Sequence, residues 1–434
     1  MGFPPKQLIT TMKQILFIAC CAAVLLTACN NDDNNKETPT VAERTVMVYM
    51  SGDNSLSSVV TDDVQEMLQG ASGIPQNCNM VVFMDRAISS EKPFIAKITK
   101  EAKLDTLYKF TTDFYASDPE QFSEVLKQVT TLCPSKEYGL VLWGHATGWV
   151  VSADTIAQRR AYGVDNNKWM NITQMARALE GLKAQNVLPK LSFIFADCCN
   201  MVSAENGYEL REVTDYLIGS PAEIPGYGAP YQLVVPHLFK SGSALYKGII
   251  DTYYDYYADY NNLSISEKSR WSFMEGGYSV PLSVIDTKYI GTLADKTHDM
   301  LERATDGYPT YPNHPDLTSI AFYWYGDAPM MYDMRAVMER LLSEADFQQW
   351  DETYKLAVPY YRMSMKWMTV WDKWGAGYLD RSFDTFDPNL KYGCVSMFIP
   401  MQDSYYSYGN MAYNKTSINF GWNQVMDWKR FGWE

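Results

Sequence analysis

Short apolar runs rich in β-branched and aromatic residues alternate along this chain with segments of helical spacing, and that alternation constrains the fold most. Thr45–Met50, Asn79–Asp85, Tyr138–Trp143, Leu191–Ala196 and Tyr216–Gly219 read as buried strands. Leu56, Val59, Val60, Val64, Met67 and Leu68 follow a helical period between the first two. Asp118-Pro119 opens another helix with Phe122, Val125, Leu126 and Val129 on one face. Met175, Leu179 and Leu182 mark a third, and residues 201–212 a fourth. Such alternation implies βαβ units, and therefore an α/β fold with a mostly parallel sheet and helices on both faces.

Ligands of these sheets bind beyond the carboxyl ends of the strands. Two of the runs end there on reactive side chains. One continues Trp143-Gly144-His145, the other Ala196-Asp197-Cys198-Cys199. A free thiol titrates near pH 8.5, so a nucleophilic cysteine needs a neighbouring imidazolium to lower that value, and a histidine and a cysteine at one sheet edge can form such a thiolate–imidazolium pair. Attack on a carbonyl also needs backbone N–H groups around the developing oxyanion. The small-residue turn Ala146-Thr147-Gly148 suits that task, as does the start of a helix following Cys199. Cys198 reads as a small core side chain, since strand alternation sends it to the other face.

These residues resemble the clostripain-like cysteine peptidases, relatives of caspases, gingipains and legumains. The family pattern Trp-x-His-Gly-x-Gly-Trp is matched by Trp143-Gly144-His145-Ala146-Thr147-Gly148-Trp149. Its Asp-x-Cys-x-Met block is matched by Asp197-Cys198-Cys199-Asn200-Met201, and its Ser-x-Glu-x-x-Pro-Gly-x-Gly-x-x-Tyr run by Ser220 to Tyr231. Met50 to Leu56 and the strand expected over Tyr392–Ile399 extend the likeness to about residues 43–430.

The resemblance implies a caspase-like sheet in residues 43–240 and a cysteine endopeptidase with Cys199 as nucleophile and His145 as its acid–base partner. It assigns the oxyanion to the amides of Ala146 and Cys199. It also places Asp197 at the floor of the pocket for the residue before the scissile bond, which implies cleavage after Arg or Lys. Some relatives carry a further acid where this chain has Tyr227, and Glu223 is the candidate to replace it. Members of the family can cut themselves in the loop after the histidine, where this chain carries Arg159-Arg160. The product would be two associated chains from one monomer. One departure is Ala146 in place of the usual glycine; an alanine with positive φ would be strained. Calcium dependence occurs among relatives, and no EF-hand spacing is present here. The residues themselves require no cofactor.

The N-terminus points outward from the cell. Lys6 and Lys13 precede the apolar stretch Ile15–Leu26, which is short for a spanning helix. Leu26-Thr27-Ala28-Cys29 resembles the lipobox of bacterial lipoproteins. Residues 1–28 are thus expected to be a signal peptide, Cys29 a lipidation site anchoring the protein to a bacterial membrane, and residues 29–42 a disordered polar tether. The implied location is the outer membrane or cell surface. A formal charge of -14 argues against nucleic acid partners and leaves protein or peptide substrates. Beyond Cys20, Cys21 and Cys29, the remaining Cys78, Cys133, Cys198, Cys199 and Cys394 are an odd, scattered set. They suit neither a disulfide framework nor a structural zinc site.

Residues 241–434 have a different texture, crowded with Tyr and Trp, and read as an aromatic-rich subdomain adding at least one strand. Two other functions are consistent with parts of the sequence. One is a non-catalytic surface lipoprotein that binds peptide or glycan. The other is a hydrolase using a carboxylate pair such as Asp165 and Asp197.

Overall fold

The alternation of strands and helices builds one nine-stranded sheet in the computed structural model. The structure describes residues 40–150, 161–166, 168–262, 280–305, 317, 319–323, 331–363, 366–371, 378–382, 387–400, 417 and 419–428. The strands of the first half are β1 (Ala42–Gly52), β2 (Cys78–Arg86), β3 (Phe94–Ile98), β4 (Leu104–Lys109), β5 (Ser135–Trp143), β8 (Phe193–Asp197) and β9 (Tyr216–Gly219). Between β5 and β8 lies a separate small hairpin, β6 (Tyr162–Asp165) with β7 (Lys168–Met170). The second half adds β10 (Leu282–Asp286) and β12 (Tyr360–Arg362) to the main sheet, while β11 (Tyr332–Asp333) pairs outside it. The order across the main sheet is β12-β10-β9-β8-β5-β1-β2-β3-β4. The five central strands are parallel, and both edges are antiparallel. This is the α/β, mostly parallel arrangement that the pattern implies.

Each face of the sheet has its own apolar core. Helix α1 (Ser57–Gln69) lays Val60, Val64 and Met67 against Val46, Val48 and Val82. Helices α5 (Tyr231–Leu238) and α6 (Ser243–Ala258) cover the same face. On the opposite face, α2 (Pro119–Leu132) buries Phe122, Val125, Leu126 and Val129. Asp118 caps α2 by accepting from the Glu120 and Gln121 N–H groups, with Pro119 in the first turn. Helices α3 (Ile172–Ala184) and α4 (Ala204–Leu210) pack beside it. The chain leaves β1 toward one face and β5 toward the other, so the order reverses between these two strands. That is the switch point at which such sheets open a crevice.

The described residues belong to one compact unit, Thr40–Glu434, and residues 241–434 share the main sheet and both cores with the first half. Two expectations need correction. Of Tyr392–Ile399, just Ser396–Met397 is strand, and it pairs with β11. The preceding residues cannot join a ladder because the buried Asp333 carboxylate takes the N–H groups of Gly393 and Cys394, and Cys394 has φ +61°. The helix expected over 201–212 is shorter, starting at Ala204 after its cap Ser203. Leu301, Trp350 and Tyr354 show what many of the aromatic and apolar residues of the second half do: they fill core.

Candidate active site

The β5–β8 register fixes the candidate site. Trp143 on β5 pairs with Asp197 on β8, so His145 and Cys199 each stand two residues beyond the same rung. Adjacent strands lie about 4.8 Å apart. Both side chains keep partial exposure at this edge.

The chain between them is shaped by two close approaches. Gly144 has φ +140°, and a Cβ there would stand 2.9 Å from the Ser51 carbonyl oxygen. Gly148 has φ +65°, and its Cβ would meet the Asn200 carbonyl oxygen at 2.2 Å. The histidine loop therefore rests directly on the cysteine loop. Behind it Trp149 is buried against Phe398, with ring centroids 4.8 Å apart. Hairpin β6 supports the other side: Thr147 donates to the Ala161 carbonyl and Gly163 donates to the His145 carbonyl, each at 2.8 Å. Ala146 bridges Tyr162 and does not adopt a positive φ, so alanine fits here without backbone strain.

Asn200 holds the cysteine. Its φ of +59° turns the chain, a conformation that Asn tolerates. Its Nδ2 donates to the carbonyls of Pro221 (3.0 Å) and Tyr323 (3.3 Å), and its N–H donates to Ala222 O (2.9 Å). The 220–224 segment so anchored brings the Ile224 N–H to 3.4 Å from Cys199 Sγ. No helix begins at Cys199, because Ser203 caps α4 further on. The N–H group bonded to the sulfur comes from Ile224, which the sequence did not suggest.

Electrostatics at the sulfur run against an ionised thiol. Burial, and then the Glu223 carboxylate, push the Cys199 thiol up to about 12, with the Ile224 N–H opposing. Burial and Glu223 thus disfavour the ionised thiol in this arrangement, in contrast to the thiolate expected of a thiolate–imidazolium pair. Cys198 lies in the other core and its thiol is raised by burial. The five cysteines among the described residues are all free of disulfides.

Asp197 is buried on the α1 side. Its Oδ2 accepts from the Ala229 N–H (3.0 Å) and the Tyr231 hydroxyl (2.7 Å), and its Oδ1 from the Tyr253 hydroxyl (3.2 Å). Burial lifts it to about 6 while these bonds hold it down. A second buried carboxylate, Asp63 on α1, accepts from the Trp143 indole and is raised by burial and by Asp197. A Cβ on Gly228 would lie 2.7 Å from Asp197 Oδ2 and 3.3 Å from Asp63 Oδ2, so this turn sits over both acids. Asp63 carried no motif that separates it from any other helical acid. Tyr227 is exposed beside this turn.

Asp165 does not pair with Asp197. It lies on the other face, bonded by the Ala116 N–H at 2.7 Å and by the Asp85 carboxyl, which rules out Asp165 and Asp197 as a catalytic pair. Arg159, Arg160 and Cys29 fall outside the described residues. Among the described residues no cluster of three His, Cys, Asp or Glu could hold a metal, and no helix is long and apolar enough to cross a membrane.

Comparison with known proteins bears on the family and the fold. The sequence model of the clostripain family matches residues 48–429. A secreted C11 cysteine protease from Bacteroides thetaiotaomicron, solved with an irreversible peptide inhibitor, is 27% identical. That match covers 89% of this chain and 99% of the relative, with a TM-score of 0.71. An inactive zymogen C11 protease from Parabacteroides distasonis is 25% identical over 89% of this chain and 99% of its own, with a TM-score of 0.69. No curated protein matches. By the reach of the family match and the caspase-like sheet, this chain belongs to the clostripain family of cysteine peptidases.

Proposed function

We propose that the chain is an exported endopeptidase in which Cys199 attacks the scissile carbonyl and His145 moves the protons. The observation that carries this reading is the shared rung, which brings a histidine and a cysteine to one sheet edge in equal steps. The thiol proton passes to the imidazole, and the sulfur forms a bond to the carbonyl carbon. The carbonyl oxygen takes the charge, facing the amides of Ala146 and Cys199. The imidazolium then protonates the leaving amine as the peptide bond breaks. Water, deprotonated by the same ring, releases the acid product and returns the thiol.

The raised thiol makes the described arrangement a resting one. Substrate entry that separates Glu223 from the sulfur would remove one cause of the raised value, leaving the Ile224 N–H to favour the thiolate. Cleavage after Arg or Lys is supported by charge: Asp197 and Asp63 lie together, and among the described residues neither has an Arg or Lys partner. Lifting of the 225–228 turn would open them to a basic side chain. Glu223 lies close enough to the nucleophile to meet substrate as well.

Self-cleavage at Arg159-Arg160 is supported by the flanks of that segment. Val150 and Ala161, the described residues on either side of it, are both buried beside the histidine loop. Secretion of the Bacteroides relative supports export, and the Leu26–Cys29 lipobox supports lipid anchoring at Cys29. Digestion of a peptide library by wild type and Cys199→Ala tests the reading. Cuts after Arg and Lys that vanish in the variant are expected. Cutting that persists in Cys199→Ala would remove the sulfur from the mechanism.

A further inference from the structure

The switch-point crevice between β1 and β5 brings a third side chain to the histidine. Ser55, exposed in the turn after β1, has its Oγ 2.9 Å from Nε2 of His145. That turn is well held. Asn54 Nδ2 donates to the carbonyls of Ser51 (2.9 Å) and Val164 (2.8 Å), and its Oδ1 accepts from the Leu56 N–H (2.9 Å). Val164 belongs to β6, the strand whose Gly163 N–H also bonds the His145 carbonyl. The hydroxyl and the ring are thus mounted on one hydrogen-bonded frame.

We propose that Ser55 is a positioning residue for His145, its Oγ holding Nε2 so that Nδ1 exchanges the proton with Cys199. The inference rests on the peptidase reading above. In the neutral ring the proton sits on Nε2 and is donated to Ser55 Oγ, and the Nδ1 lone pair takes the proton that leaves the thiol. The imidazolium then carries both N–H groups, and its bond to Ser55 strengthens because the donor is now charged. Nδ1 passes its proton to the leaving amine and the ring returns to the starting tautomer. Without the hydroxyl the ring loses the contact that selects this tautomer and this side of its broad, two-fold χ2 preference.

Kinetics and nitrogen NMR test the proposal independently. Ser55→Ala is expected to lower kcat about tenfold, the scale of one lost hydrogen bond, with KM changed less than about twofold. It should also shift the acidic limb of the pH–rate profile. Ser55→Thr, which keeps the hydroxyl, should recover most of the rate. In the Cys199→Ala background, 15N spectra of the imidazoles report the ring without any need for turnover. The chain has four histidines, so His145→Ala assigns the signal. Ser55→Ala should move the His145 Nε2 resonance and redistribute its tautomers, and Ser55→Thr should restore them. An unchanged His145 resonance in Ser55→Ala, or a kcat within twofold of wild type, overturns the role of Ser55. An inactive wild type with a Ser55-dependent resonance would instead sink the peptidase reading and leave the hydrogen bond standing.

Discussion

Gly148 lies against the backbone of Asn200, closely enough that a single added carbon would stand 2.2 Å from the Asn200 carbonyl oxygen. The loop bearing the histidine and the loop bearing the cysteine are therefore in direct backbone contact. Gly148→Ala has two separate penalties. The φ of +65° costs a residue with a Cβ about 1 kcal/mol, and the clash is with backbone that cannot swing aside. The variant should unfold at lower denaturant concentration and lose most activity. Chemical denaturation beside a kcat/KM measurement checks this; wild-type values for both would mean the two loops do not depend on each other.

Glu223 opposes ionisation of Cys199, and removing its charge should release the thiol. With the thiol pushed up to about 12, the reactive thiolate is a small fraction at neutral pH. Glu223→Gln lowers the thiol pKa, and each whole step down the pH scale raises the thiolate fraction about tenfold. The rate of iodoacetamide modification at pH 7.5 should therefore rise several-fold. Mass spectrometry of the Cys199 peptide over a pH series gives the titration directly. An identical pH–rate curve for both proteins would show that burial alone sets the thiol.

The sequence made the central parallel strands visible because burial on both faces leaves continuous β-branched and aromatic runs, as in Val46–Met50 and Phe193–Ala196. The reactive strand ends stood out because His145 and Cys199 each follow such a run. The edges were not legible. Leu104–Lys109 exposes most of its residues and alternates without an apolar face, and Tyr360–Arg362 is three residues long. Ser55 and Asp63 were missed for another reason: their significance lies in which loop or helix the topology brings beside His145 or Asp197, and no local spacing encodes that. The 392–395 stretch misled because its apolar content reflects burial in the core, whereas its backbone N–H groups serve the Asp333 carboxylate.

The buried acid pair Asp85–Asp165 gives the fold a definite pH dependence. Burial, then the Asp165 charge, lift Asp85 to about 8, and Asp165 is lifted to about 6. Both folded values exceed the ordinary carboxylate range near 4. The folded state therefore binds more protons than the unfolded chain between about pH 4 and pH 8. Stability from these groups is fully present below that window and is lost as the pH rises through it. Asp85→Asn keeps a polar group beside Asp165 and removes the titration. At pH 8 it should raise Tm by about 2 °C or more, and at pH 4.5 the gain should shrink toward nothing. Thermal denaturation at the two pH values decides this. A gain that is the same at both would mean the pair carries no titrating charge in the fold.

Processing at Arg159-Arg160, if the same site performs it, depends on both the sulfur and the basic pair. Ala161 is tied to the histidine loop through its hydrogen bond from Thr147, so cleavage before it would leave β6 paired with that loop. Wild type should run as one species under native conditions and as two fragments under denaturing conditions, and Cys199→Ala as one chain under both. Arg159→Ala/Arg160→Ala should also remain one chain, yet modify Cys199 with iodoacetamide as readily as uncleaved wild type does. Adding active wild type to Cys199→Ala separates cutting within a molecule from cutting between molecules: slow, concentration-dependent conversion supports the latter. N-terminal sequencing of the smaller fragments locates the bond. A cut at any residue other than these two arginines would remove the basic pair from the account while leaving the Cys199 dependence open to the same gel.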